Sequence, residues 1–182
     1  MKTKLLVAVP AMLLYVSVAL SQPGHFKQLL EQAQMVFEMP ENFNEVKVIA
    51  AVKPQYQYAL EHTSGNLEVR YAIYLLNEAK NNTPPEYRSV LENTLLTISD
   101  EKSPEILQFG SDLLEQFNAA WGATAVVGVN KEFGRGYSYC RIVALHRDTV
   151  ANAYYFYLAN TEEETFDLAM QAFTSLRFKQ DK

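Results

Sequence analysis

The chain has 182 residues, 48% of them hydrophobic, with 16 basic and 21 acidic side chains and a formal charge of −5. This is enough apolar material for the core of one ordinary domain, and an acidic chain without a basic patch is a poor binder of nucleic acid or anionic lipid. One cysteine, Cys140, excludes an internal disulfide, so packing alone must hold the fold.

Lys2 and Lys4 precede an apolar run from Leu5 to Leu20, and Ala19 and Ser21 place small residues before Gln22. That is the layout of a secretory signal peptide over residues 1–21, cleaved to leave one soluble domain of residues 22–182 outside the cytoplasm, periplasmic or secreted. The run is shorter than the roughly 20 residues of a membrane span and contains Pro10. No span is expected after signal removal. Loss of the two lysines makes the mature charge more negative, at −7.

Phe26, Leu29, Leu30 and Ala33 recur at helical spacing, and "MVFEMPENFNEVKVIA" reads as two short strands broken at Pro40 to Asn44. Strands follow at about 56–62 and 67–76, then the loop "NEAKNNTPPEYRS", which carries the sequon Asn81-Asn82-Thr83. A weaker helix is expected over 85–98. "SPEILQFGSDLLEQFNAAWG" predicts a stronger one, with Ser103 as N-cap, Pro104 at its first position and Gly122 at its end. Ile106, Phe109, Leu113, Leu114, Phe117 and Trp121 would form its apolar stripe. A β run at 124–129, a turn near Gly134-Arg135-Gly136 and strands at 137–146 and 150–159 come next. The capping box Thr161…Glu164 opens a last helix, which buries Phe166, Leu168, Ala169, Ala172, Phe173 and Leu176.

Turns this short make most strand pairs antiparallel. In "YCRIVALH" both alternating sets are largely apolar, Tyr139, Val143 and Leu145 against Cys140, Ile142 and Ala144. A sheet wet on one side would show polar residues at every second position. The expected fold is therefore α+β, a three-layer α/β/α sandwich around a mainly antiparallel sheet.

The order of "VFEMPENFNEV", the hairpin "YQYALEHTSGNLEVRYAIY", a long helix, "YSYCRIVALHRDTVANAYYFYLAN" and a final helix ending "FTSLRF" resembles the PsbP-like superfamily. The resemblance implies an α/β/α sandwich that works by binding partners and has no shared catalytic centre. It assigns no functional residue.

The residues themselves offer little catalysis. His25, His62 and His146 fit no metal-ligand spacing, and the lone cysteine provides no zinc pair. Cys140 and His146 share a strand face, yet six residues of strand separate them by roughly 20 Å. A nucleophile and its base need contact, so Cys140 reads as a core residue. No GxSxG elbow occurs. "GVNKEFGRGY" lacks GxGxxG, and its glycines suit positive φ in a turn. The acids of "TEEE" complement a helix dipole. No catalytic residue, cofactor or metal is therefore expected.

The expected function is an exported, non-enzymatic accessory protein with a protein or envelope partner. The alternative is a small hydrolase or carrier whose site is assembled from distant residues. Tyrosine tips at a sheet edge make good contact groups, so Tyr155 and Tyr157, with His62 at a hairpin rim, are the expected partner contacts. Within that hairpin, a Ser64-Gly65 turn would oppose Glu61 to Glu68, whereas a Gly65-Asn66 turn opposes Glu61 to Arg70. The second register avoids a like-charge pair and is the one expected.

Overall fold

The computed structural model describes residues 23–76, 84–101 and 103–180. The expected signal peptide and the sequon at Asn81 lie outside them. Helix α1 (Pro23–Gln32) leads into β1 (Met35–Phe37) and β2 (Phe43–Glu45), and the hairpin follows as β3 (Tyr58–His62) and β4 (Leu67–Leu75). Next come α2 (Pro84–Ile98), β5 (Leu107–Gln108), α3 (Ser111–Phe117), β6 (Trp121–Gly128) and α4 (Lys131–Gly134). The chain finishes with β7 (Tyr139–Arg147), β8 (Ala151–Ala159), α5 (Glu164–Asp167), a 3-10 turn at Ala169–Gln171 and β9 (Leu176–Phe178).

Seven strands form one sheet in the order β2-β3-β4-β8-β7-β6-β5, and β1 pairs with β9 as a separate ribbon. Every pairing among them is antiparallel. Strand β8 lies between β4 and β7 and is buried along its whole length. Side chains of successive strand residues point to opposite faces, so a strand with no wet position needs cover on both. One face gathers Val69, Tyr71, Val143, Leu145, Tyr155 and Tyr157 beneath α1, α3 and the β1–β9 ribbon. The other gathers Ala72, Cys140, Ile142, Phe156 and Leu158 beneath α2, α4 and the 46–56 segment. Helix α2 reaches that core through Leu91, Leu95 and Ile98, which recur on one helical face. The α+β layout with an antiparallel sheet is thus as expected.

Three expectations fail. First, the hairpin takes the Ser64-Gly65 turn, with Ala59 opposite Arg70 and Glu61 opposite Glu68. Gly65 supplies the left-handed residue at φ +76°, and its N–H donates to His62 O at 2.8 Å. Tyr56, which an uninterrupted strand over 56–62 would put on the Tyr58 face, belongs instead to the opposite core.

Second, residues 103–122 do not form one helix. Leu107 and Gln108 pair with Thr124 and Ala123 at the sheet edge, and Gly110 is extended at φ −77°, ψ 172°. Only Ser111–Phe117 is helical, ended by Asn118 in the left-handed conformation. Trp121 and Gly122 already belong to β6, opposite His146 and Leu145. Eight residue pairs along β6 and β7 outweigh the local capping signals around Ser103 and Pro104.

Third, the capping box does form, with Thr161 N–H 3.2 Å from Glu164 Oε2 and Glu164 N–H 3.3 Å from Thr161 Oγ1. The helix nevertheless stops at Asp167, because Leu176–Phe178 is drawn into pairing with Phe37–Met35. Phe166, expected inside, is 53% exposed, with the Arg141 guanidinium 4.9 Å from its ring centroid.

The location of Gly122 in β6 gives a direct test. A Cβ there would sit 2.6 Å from Phe109 Cδ2 and 3.2 Å from Leu145 Cδ2, whereas one at Gly110 meets nothing within 4 Å. Gly122→Ala should cost about 1–3 kcal/mol by overpacking, and Gly110→Ala should be neutral or stabilising by about 0.4–1 kcal/mol. Urea midpoints of the two variants check this; equal midpoints would contradict the strand assignment.

Candidate functional site

The best-furnished polar region is the end of the sheet that carries the β3–β4 turn. Phe43 pairs with His62, Leu67 with Ala159, Ala159 with Tyr139, and Tyr139 with Gly128. These residues form one row across the sheet end, which brings the hairpin rim and the start of β7 together. Tyr139 is 36% exposed there.

Arg70 explains how Glu61 and Glu68 can be opposed. It is 0% exposed, and its guanidinium lies between the rings of Tyr56, at 5.1 Å, and Phe133, at 4.9 Å. Nε donates to Glu68 Oε1 at 2.5 Å and Nη1 donates to the Phe133 carbonyl at 2.5 Å. Nη2 is buried and has no hydrogen-bond partner among the described residues. Glu61 instead engages the Tyr137 hydroxyl, whose pKa is pushed up to about 12, first by burial and then by the charges of Glu68 and Glu61. Each carboxylate therefore has its own partner, Arg70 within the hairpin for Glu68 and Tyr137 outside it for Glu61.

His62 serves the turn beside it. Its Nδ1 accepts from the Ser64 N–H at 3.2 Å and lies 2.7 Å from Ser64 Oγ, while its ring meets Phe43 edge-on at 5.1 Å. It stays half-buried at the rim. Tyr155 and Tyr157 are different. Both are fully buried, with hydroxyls donating to the Leu176 and Ala172 carbonyls. A contact group needs an exposed atom, so these two expected partner contacts do not stand.

Cys140 is fully buried, and burial pushes its thiol far above the ordinary range against the opposing pull of Arg70 and Arg141. It pairs with Leu158, at the other end of β7 from His146. His146 belongs to a separate cluster. Its ring stacks on Tyr87 at 3.4 Å, Nδ1 lies 2.6 Å from Asn152 Oδ1, and Nε2 lies 3.0 Å from Asp148 Oδ1. The Tyr87 hydroxyl donates to the same Asp148 oxygen at 3.0 Å. With both ring nitrogens engaged, this arrangement ties α2 to the β7–β8 turn. Asp148 and Asn152, which complete the cluster, went unremarked in the sequence. Strand pairing was the only available signal, since His146 faces Asn152.

Among the described residues, no group of three or more His, Cys, Asp or Glu side chains could hold a metal, and no helix is long and apolar enough to cross a membrane. The surface carries open grooves. One of about 370 Å³ is lined by Asn118, Arg147 and Asp148, and another of about 610 Å³ by Lys53, Lys131 and Arg135.

Two outcomes follow from these clusters. Arg70→Ala strands Glu68 in a half-buried site and should cost about 3 kcal/mol, measured by denaturant unfolding. An unchanged midpoint would show the guanidinium to be dispensable. Hydrogen bonds from His146 and then Tyr87 hold Asp148 below the usual carboxylate range. Its contribution to stability is present above its unfolded pKa and is lost as pH falls through the lower folded value. Asp148→Asn should therefore flatten the acid limb of a plot of midpoint against pH. Parallel profiles for parent and variant would contradict the linkage.

No family model matches the chain, and no curated protein matches it at a significant level. Among solved structures, the chain is similar to the solution structure of cyanobacterial PsbP (CyanoP) from Synechocystis sp. PCC 6803, with 10% sequence identity and a TM-score of 0.44. The match covers 81% of this chain and 88% of that one. A similarity at this identity and score brings no residue role with it.

Proposed function

We propose that residues 22–182 form a single exported domain, periplasmic or secreted, that acts as a non-enzymatic accessory protein by binding a protein partner of the cell envelope. The export reading is supported by the charged, apolar and small-residue segments up to Ser21. The observation that carries the binding reading is the fate of the polar side chains. His146, Arg70 and Cys140 are buried and the first two are bound into structural contacts, whereas the sheet end keeps an accessible row with His62 and Tyr139. Half-exposed aromatic groups at a rim combine apolar area with a polar tip, which suits a protein contact.

The alternative of a small hydrolase called for a deep pocket holding His62 or His146 beside an acid or a Ser. His62 has Ser64 Oγ at 2.7 Å, but the pair sits on the exposed β3–β4 turn. His146 has its acid in Asp148, yet the ring is 1% exposed beneath Tyr87. The test is affinity capture of the tagged chain from its native envelope, with bound material identified by mass spectrometry. A protein recovered with the parent and lost with His62→Ala combined with Tyr139→Ala is the expected result. Recovery of a small molecule and no protein would overturn this reading in favour of a carrier.

A further inference from the structure

The chain is acidic overall, yet one groove reverses that balance. Lys53, Lys131 and Arg135 line it together with Glu132, Ala51 and Val52. None of the three cations makes an ion pair among the described residues. Three cations there face a single carboxylate, and among the described residues no ion pair offsets their mutual repulsion.

The positions of these charges are set by backbone structure. Asn130 caps α4 by accepting from the Phe133 N–H at 2.9 Å, and Arg135 closes it in the left-handed conformation at φ 48°. The Arg135 N–H donates to Lys131 O at 3.2 Å, so the two α4 cations are tied together through one turn. Beneath that turn lies Arg70, whose Nη1 holds the Phe133 carbonyl. Glu68 balances its charge, and the buried Nη2 still has no partner among the described residues. Burial raises the Tyr56 hydroxyl, and both Arg70 and Arg135 pull it back down, which puts Tyr56 within the field of the buried and the exposed guanidinium alike. The groove is thus a cationic surface held in place over a further buried cation.

We propose that this groove binds a small, multiply charged phosphate compound through Lys53, Lys131 and Arg135. A guanidinium fork matches phosphate oxygens in pairs, and ammonium groups add point charges beside it. A volume of about 610 Å³ is within the usual range of small-molecule sites. Glu132 opposes the ligand and limits its affinity. Recognition rests on side chains, not on a glycine-rich backbone cradle, so the absence of GxGxxG is no obstacle. The phosphate could belong to a free compound or to a lipid headgroup, and the chemistry of the groove is the same for both. This site is distinct from the row containing His62 and Tyr139, and it stands whether or not a protein partner is found.

Isothermal titration of the full chain with inorganic pyrophosphate at low ionic strength tests the proposal. Saturable binding is expected, weakened about tenfold or more by Lys131→Glu with Arg135→Glu, and by Lys53→Glu alone should the double variant prove misfolded by circular dichroism. Glu132→Gln should tighten it severalfold. Lys27→Glu, on the exposed face of α1, should leave it unchanged. Flotation with phosphatidylcholine vesicles containing phosphatidylglycerol distinguishes the source, since parent and double variant share the same amino-terminal segment. A difference between them assigns the phosphate to a headgroup, and equal flotation with retained pyrophosphate binding assigns it to a free compound. No saturable binding by about 10 mM pyrophosphate, together with equal flotation, would overturn the site, as would an equal loss on Lys27→Glu.

Discussion

Every residue of β8 is buried, and this constraint decides what must surround it. Nine consecutive buried residues require a strand partner on each side for the backbone and a packed layer on each face for the side chains. Strands β4 and β7 meet the first need along their full length, and the two cores meet the second. Burying an aromatic or aliphatic side chain contributes about 1.5–3 kcal/mol, so Tyr155, Phe156, Tyr157 and Leu158 make this strand the main anchor of both layers. Their polar tips are also provided for, since Tyr155 and Tyr157 donate to carbonyls of the carboxy-terminal segment.

The same burial shows why part of the fold was legible and part was not. Alternation in "YCRIVALH" revealed a sheet covered on both faces, because a strand's periodicity is local. The same alternation does not distinguish a central strand from an edge. That is why Tyr155 and Tyr157 looked like contact groups, while Tyr139, at the exposed start of β7, was passed over. Residues 103–122 misled for a related reason. Caps and an apolar stripe describe a helix in isolation, and the pairing of Leu107 and Gln108 with β6 appears only once the sheet exists.

The charged groups were the hardest to read, because their partners are distant in the chain. Arg70 hydrogen-bonds a carbonyl 63 residues away, and Tyr87 meets Asp148 across 61. Judged within the hairpin alone, an Arg70–Glu61 pair is the better electrostatic choice. With Phe133 and Tyr56 in place, the guanidinium gains more by entering the core, where rings flank it and Glu68 follows. The His62 rim stood out in the sequence by its polar density, and the fold leaves its ring half-buried at the sheet end. The cationic groove combines residues from two segments some 80 positions apart; "GVNKEFGRGY" alone was set aside as a phosphate site, because Lys53 joins it only in the fold.

The β1–β9 ribbon also bears on the order in which the chain can finish folding. Met35–Phe37 closes against Leu176–Phe178, and Glu38 bridges Arg177 across 139 residues at 2.5 Å. The Ser175 hydroxyl that meets Tyr71 and the Leu176 carbonyl that receives Tyr155 arrive with the same segment. A growing chain that lacks it leaves one layer of its core open and those tyrosine hydroxyls without acceptors. Contacts between sequence-distant ends form late. A chain folding from its amino terminus would therefore keep one layer loosely packed until β9 is in place, so the closing of that ribbon also seals the core.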